Sequence, residues 1–257
     1  MNSDWNARLL DESGSGENDR DVVVEIVRAH VGAFKDLGRL AETLSDDERS
    51  RAHAYRFQES SEVFTLARGL LRTELSKRLG APAHKIQFDL RPSGKPDVRK
   101  IEGITRDWRF SVSHTGPHVA IAFAAGIDVG IDIERTDRAV NALAIARRYF
   151  TPEELSTLET LPADALTRGF FAGWTRKEAI VKARGQTMAD SLATLTVDLD
   201  PKATHPRSKD APTAPPRPHC HLTSFEFHDP KLIGAVALLS GRPPRLSFEI
   251  LSGATFD

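Results

Sequence analysis

Between residues 127 and 134 apolar and polar positions alternate without a break, with Ile127, Val129, Ile131 and Ile133 set against Asp128, Gly130, Asp132 and Glu134. A period of two is the mark of an extended strand, whose successive side chains point to opposite faces. Taken alone, the pattern predicts a half-buried strand with a solvated acidic face. Gly130, between two carboxylates, leaves room on that face for a ligand or another backbone.

Helical spacing rules elsewhere. Val63, Phe64, Ala67, Leu70, Leu71 and Leu75 predict a helix from about Ser61 to Leu79, stopped by Gly80 and Pro82 and carrying Arg68 and Arg72 on its other face. Ser45-Asp46-Asp47-Glu48 has the form of a capping box and starts a helix that runs to about Phe57. Thr151-Pro152-Glu153-Glu154 starts another, and a longer helix follows from about Ala163 to Ala183, ended by Gly185. Strands are expected near 22–27, 86–90, 108–112, 119–124, 127–134, 193–199, 221–228, 232–239 and 245–251.

A long helix followed by strands with no helices between them occurs twice. That order argues for an α+β fold, a pseudo-dimer of two similar halves, each a long helix on a mainly antiparallel sheet, rather than a doubly wound parallel sheet. The halves are placed at 21–125 and 126–257. Residues 1–20 are small and charged and read as a disordered tail, and the Pro-rich stretch at about 201–218 reads as a flexible surface loop.

Composition narrows the possible environments. Forty per cent hydrophobic residues in a chain of 257 are enough for a real core, and 35 basic against 36 acidic side chains give no general attraction to nucleic acid or to a membrane. The apolar run near Val119–Ile127 is far shorter than the ~18 residues of a spanning helix. The single Cys220 allows no internal disulfide and the start of the chain lacks a signal-peptide pattern, so a reducing cytoplasm is expected.

Two segments carry the candidate chemistry. The acidic strand offers Asp132 and Glu134; Trp174-Thr175-Arg176-Lys177-Glu178-Ala179-Ile180-Val181-Lys182 offers Glu178 and Lys182, four apart on one helix face. Alone, the second is a surface ion pair worth at most about 0.5 kcal/mol. Together they supply three carboxylates and an ammonium, which suits a magnesium ion holding a phosphorylated substrate. Ser113-His114-Thr115 closes a strand; a Ser–His hydrolase is set aside because neighbouring strand residues point apart and no Gly-x-Ser-x-Gly elbow is present, which leaves a phosphate grip or a capped turn. Gly94-Lys95-Pro96 lacks the spacing of a P-loop. Arg51, Arg68 and Arg72 have the forked geometry that phosphates favour, although such residues are ordinarily exposed helix charges. His219-Cys220-His221 with His228 fits no standard metal spacing.

These motifs, in this order, resemble the phosphopantetheinyl transferases of the surfactin-synthetase-activating type. The matching pieces are Ser45 to Phe57 with Arg51, Ala67-Arg68-Gly69-Leu70-Leu71-Arg72, Ser93-Gly94-Lys95-Pro96 and Phe110-Ser111-Val112-Ser113-His114. They continue with Gly130-Ile131-Asp132-Ile133-Glu134, Tyr149-Phe150-Thr151-Pro152-Glu153-Glu154, and Trp174 through Lys182 with Gly185, so that the resemblance covers roughly Ser45 to Leu199. It implies coenzyme A bound in a cleft between the halves, with magnesium held by Asp132, Glu134 and Glu178. It places Arg51, Arg68, Lys95, Ser113 and His114 on the nucleotide phosphates, and gives Glu178, Lys182 and Glu154 catalytic parts. Glu154 matches a glutamate that assists deprotonation of a serine, and equally serves as the capping-box residue of its own helix.

The activity implied is transfer of the 4′-phosphopantetheine arm of coenzyme A to a serine of an apo acyl or peptidyl carrier protein of fatty acid, polyketide or nonribosomal peptide synthesis, by a monomer. Acidic carriers would meet a locally basic region at Arg135, Arg138, Arg147, Arg148 and Arg176. The competing readings are a magnesium-dependent nucleotide phosphohydrolase and a non-catalytic protein of the same fold that binds coenzyme A or docks carriers.

Overall fold

The computed structural model describes residues 22–105, 107–187, 191–211, 218–227 and 231–253. The expected tail at 1–20, His228 and the middle of the Pro-rich stretch lie outside the described residues. Two compact units are present, one gathering Val23 to Asp128 with the chain from Leu246 onward, the other running from Val129 to Arg245.

In the first unit, strand β1 (Val22–His30) is followed by a short helix α1 (Gly38–Glu42), α2 (Asp46–His53) and α3 (Gln58–Leu79). A two-stranded ribbon of β2 (Phe88–Leu90) and β3 (Pro96–Val98) comes next, then the hairpin of β4 (Trp108–Thr115) and β5 (His118–Ala125). β5 pairs antiparallel with both β4 and β1. The expected capping box is formed: Glu48 N–H donates to Ser45 Oγ, while Ser45 N–H donates to the Glu48 carboxylate at 3.1 Å. The helix it starts ends at His53 rather than Phe57, because Phe57 is extended and becomes the N-cap of α3. That 22-residue helix closes where expected, on Gly80 in the left-handed region at φ 70°. Its Leu66, Leu70, Leu71 and Leu75 pack with Phe110, Ile121 and Phe123 of the sheet to make the core.

The second unit runs through β6 (Val129–Arg135), α4 (Ala142–Tyr149), α5 (Pro152–Thr160) and α6 (Ala163–Arg184), the last again of 22 residues and again closed by a left-handed glycine, Gly185. β7 (Leu195–Val197) and β8 (Ser208–Asp210) form a ribbon, so part of the stretch read as a loop is a strand. β9 (His221–Phe227) and β10 (Leu232–Leu238) complete an antiparallel sheet in the order β6-β10-β9. The final strand, β11 (Pro244–Leu251), lies beside β1 at the edge of the four-stranded sheet β11-β1-β5-β4, so chain order and spatial grouping part company there.

Each unit is thus a long helix on an antiparallel sheet, as the element order predicts. α4 was not anticipated, being short and ending in Arg147 and Arg148. The acidic strand departs from expectation more consequentially. On β6, Gly130 and Asp132 lie opposite Ala237 and Ala235, which belong to the core that includes Ala179 and Ala183 of α6. A Cβ on Gly130 would sit 1.9 Å from the Ala179 carbonyl oxygen. The room left by the missing side chain is therefore filled by the α6 backbone, and the face expected to meet solvent is buried at Gly130 and Asp132 and half-buried at Asp128 and Glu134.

Candidate functional site

The close approach at Gly130 sets the chemistry of the second unit. It brings Asp132 against the face of α6 that carries Glu178 and Lys182, and both carboxylates are buried, at 6% and 4% exposure. Lys182 Nζ donates to Asp132 Oδ1 at 2.7 Å and to the Ile131 carbonyl at 3.2 Å. Burial, reinforced by the charges of Asp132 and Glu134 and opposed by Lys182, pushes the Glu178 carboxyl up to about 7. Glu178 Oε1 is buried and has no hydrogen-bond partner. Glu134, nearer the surface, accepts from Arg138 Nη2 at 2.9 Å.

Stranded oxygen in a concentration of negative charge is the environment a hard divalent cation relieves. Asp132, Glu134 and Glu178 have the right donor type. Among the described residues no three acidic, histidine or cysteine side chains already converge as a closed metal cluster. Two positive charges touch these carboxylates, the Lys182 ammonium on Asp132 and the Arg138 guanidinium on Glu134.

The first unit holds a cavity of about 800 Å³ whose lining includes Arg51, Tyr55, Phe64, Arg68, Pro96 and His114. A second hollow of about 490 Å³ shares Arg51, Phe64, Arg68 and Pro96 and extends to Arg72, Phe88 and Arg99. Guanidiniums and rings alternate along these walls. Arg51 lies 5.2 Å from the Phe64 centroid, Arg68 stands 5.9 Å from Phe64 and 5.5 Å from Phe88, and Arg72 is 5.2 Å from Phe88. Stacking on aromatic faces holds the forks in place while leaving their N–H edges for an anion. Burial lowers the Arg68 pKa, with Glu48 opposing.

Arg72 is committed elsewhere, donating to Glu48 at 2.6 Å and to the carbonyls of Ala83 and Ile86 at 2.9 and 2.8 Å. Lys95 stands in a turn closed by Gly94 N–H on the Arg91 carbonyl. Burial first, and then the Arg91 charge, bring its ammonium down to about 8. His114 is exposed on the face of β4 that it shares with Val112, another cavity residue. Ser113, paired with Ala120, points to the opposite face and is not among the residues lining the cavity.

Glu154 is sealed in. Its side chain takes the Thr151 N–H at 2.7 Å and the Val197 N–H at 2.7 Å, and it pairs with Lys177 Nζ at 2.7 Å, both partners being essentially inaccessible. Lys177 also donates to the Leu192 carbonyl at 2.6 Å. Of the two readings of Glu154, this geometry gives the cap and adds a buried ion pair; it offers no route to a substrate hydroxyl. Trp174 is half-buried against the core, stacked on Phe170 and edge-on to Tyr149.

The basic region changes too. Arg176 is fully buried, donating to Ser224 and to the carbonyls of Asp198, Asp200 and Ala203, and so cannot face a partner. Arg135 and Arg147 pair with Asp137 and Glu159.

Sequence reasoning missed the aromatic rungs Tyr55, Phe64 and Phe88, and Glu48 as the anchor of Arg72. A signal was there: Phe64, Arg68 and Arg72 recur every four residues along one helix face.

Known proteins bear on both units. The sequence profile of the 4′-phosphopantetheinyl transferase superfamily matches residues 128–235, and that of the 4′-phosphopantetheinyl transferase N-terminal region matches residues 33–125. The 4′-phosphopantetheinyl transferase HetI of Nostoc sp. is 34% identical over 168 residues, 64% of this chain and 69% of its own. The 4′-phosphopantetheinyl transferase psf-1 of Bacillus pumilus is 32% identical over 167 residues, 65% of this chain and 69% of its own. A crystal structure of a holo-(acyl-carrier-protein) synthase from Bacillus anthracis, in complex with CoA (3′,5′-ADP), matches 44% of this chain and 96% of its own at 26% identity, with a TM-score of 0.35.

Proposed function

The chain belongs to the 4′-phosphopantetheinyl transferase superfamily, and from that premise we propose that it moves the 4′-phosphopantetheine arm of coenzyme A onto a serine of an apo acyl or peptidyl carrier protein. The serine oxygen forms a bond to the phosphorus nearer the pantetheine. The bond from that phosphorus to the bridging oxygen breaks, the hydroxyl proton is lost, and adenosine 3′,5′-bisphosphate leaves with the bond's electrons. The observation that carries the reading is the pair of buried carboxylates Asp132 and Glu178 with half-buried Lys182, held together where β6 meets α6.

Such a transfer depends on placing the pyrophosphate and offsetting the charge that builds on it. Lys182 supplies a fixed ammonium for that charge. Asp132, Glu134 and Glu178 would hold magnesium, which when bound neutralises phosphate oxygens; the orphaned Glu178 Oε1 and the crowding of carboxylates support that assignment. Arg51, Arg68, Lys95 and His114 are proposed for the nucleotide phosphates, supported by the arginine-lined cavity. Glu154 enters as the residue tying α5 to α6 and β7 rather than as a base.

The proposal is tested by measuring adenosine 3′,5′-bisphosphate release with coenzyme A and magnesium, with and without apo carrier. Release only when carrier is present is expected. Release without carrier would instead identify a phosphohydrolase.

A further inference from the structure

Among the arginines of the first unit's smaller hollow stands a buried carboxylate. Glu48 lines that hollow together with Arg51, Arg68 and Arg72, and its side chain is only 13% exposed. A negative charge beside a site for phosphates repels them, so its presence there calls for a separate reason.

The two oxygens of Glu48 have different tasks. Oε2 accepts from the Ser45 N–H at 3.1 Å and from Arg72 Nε at 2.6 Å, which closes the capping box of α2 and docks that helix on α3. The carbonyls of Ala83 and Ile86 hold Arg72 from another side, so this guanidinium is fixed and buried. Oε1 lies 3.8 Å from Arg68 Nε, an ion pair too long for a hydrogen bond. Arg68 is 21% exposed and reaches both hollows. The Phe88 ring flanks the two guanidiniums, 5.2 Å from Arg72 and 5.5 Å from Arg68. Glu48 therefore locks Arg72 in place and leaves Arg68 oriented but still able to donate. Burial and the charges of Arg51 and Arg72 work against a charged Arg68, and Glu48 is the main group that offsets them.

We propose that Glu48 is a positioning residue for the nucleotide phosphates: its Oε1 holds the Arg68 guanidinium beside the Phe88 ring so that the remaining N–H edge of the arginine meets the anion. This role rests on the proposed binding of coenzyme A at the arginine-lined cavity.

Glu48→Gln isolates it. Glutamine is the other residue a capping box accepts, and with its carbonyl in the Oε2 position it keeps the bonds to Ser45 and Arg72. Its amide then turns N–H donors toward Arg68, which has only donors to offer in return. In calorimetric titration, adenosine 3′,5′-bisphosphate should bind Glu48→Gln about tenfold more weakly than the wild-type chain, the scale of one charge-assisted contact. The loss in carrier modification should fall on KM for coenzyme A rather than on kcat. In an Arg68→Ala background, Glu48→Gln should change affinity no further. Ser45→Ala, which weakens the helix cap without touching Arg68, should bind the bisphosphate as the wild type does. Were Glu48 only a repelling charge, its removal would tighten binding. Tighter or unchanged binding in Glu48→Gln, a loss that persists in the Arg68→Ala background, or an equal loss in Ser45→Ala would overturn the assignment while leaving coenzyme A at the cavity. A wild-type chain that does not bind the bisphosphate would refute that reading and the role of Glu48 with it.

Discussion

Lys182 reaches across 50 positions of sequence to place its ammonium 2.7 Å from Asp132 Oδ1, with Glu178 one helical turn before it on the same face. The pair is half-buried on the lysine side and buried on the aspartate side. Lys182→Met therefore leaves two carboxylates facing each other with no cation between them. The expected cost is about 1–3 kcal/mol in urea denaturation and a loss of at least about a hundredfold in kcat/KM for coenzyme A, the size of effect seen when one preorganised electrostatic contact is removed. Wild-type kcat/KM in Lys182→Met would show that the ammonium has no part in the reaction.

Gly130 makes that pairing possible. A methyl group there collides with the Ala179 carbonyl and the Ala183 nitrogen, 1.9 and 2.5 Å from the added Cβ, and both are backbone atoms that no side-chain rotation can move. Gly130→Ala should cost about 3 kcal/mol, at the upper end of ordinary overpacking, and should reduce activity by more than the stability loss explains, since it separates β6 from α6. An Ala variant with an unchanged melting temperature would mean that helix and strand are less closely packed than described.

Glu154 and Lys177 separate a structural role from a chemical one. Breaking a fully buried ion pair from either side leaves an uncompensated charge, so Glu154→Gln and Lys177→Met should each lose about 3–5 kcal/mol. Their effects on turnover should be similar and should be relieved at low temperature, where the fold is retained. If Glu154→Gln were stable yet inactive while Lys177→Met kept its turnover, the glutamate would be acting as a base after all.

Lys95 gives a pH signature. Its ammonium is brought down to about 8 by burial and by Arg91, so the free protein loses that charge as pH rises through 8, and the proton must be taken up again when a phosphate binds. Affinity for adenosine 3′,5′-bisphosphate should accordingly be flat below pH 8 and fall between pH 8 and 10. Lys95→Arg, which stays charged throughout, should flatten the profile. A profile equally steep in Lys95→Arg would assign the titration to another group.

Local sequence suffices for most helix boundaries. The helix starts at Ser45 and Thr151, the glycine stops at 80 and 185 and the two long amphipathic helices all follow from interactions within one or two turns, and all are found. What eluded the sequence depends on contacts between distant segments. The alternation at 127–134 looks like a solvated face because a period of two cannot tell water from a helix backbone laid against a glycine. Arg176 looks like a surface charge, yet it is held by carbonyls 22 to 27 positions away and by the Ser224 hydroxyl, and Lys177 beside it by carbonyls 15 to 28 positions away and by Glu154. The spatial home of β11 is not encoded in its own residues either. Of the candidate site residues, Asp132, Glu178 and Lys182 are brought together, as are Arg51, Arg68 and His114, because each set sits on elements joined by core packing. Ser113 falls away for a local reason that strand geometry already contained, since it must point opposite to His114.

Transfer of a phosphopantetheine arm by this chain is read from the mass of an apo carrier protein after incubation with coenzyme A, magnesium and the enzyme. The carrier is expected to gain one phosphopantetheine on a serine with the wild-type chain and none with Asp132→Ala. An unmodified carrier with the wild-type chain across acyl and peptidyl carriers, or full modification by Asp132→Ala, would contradict it.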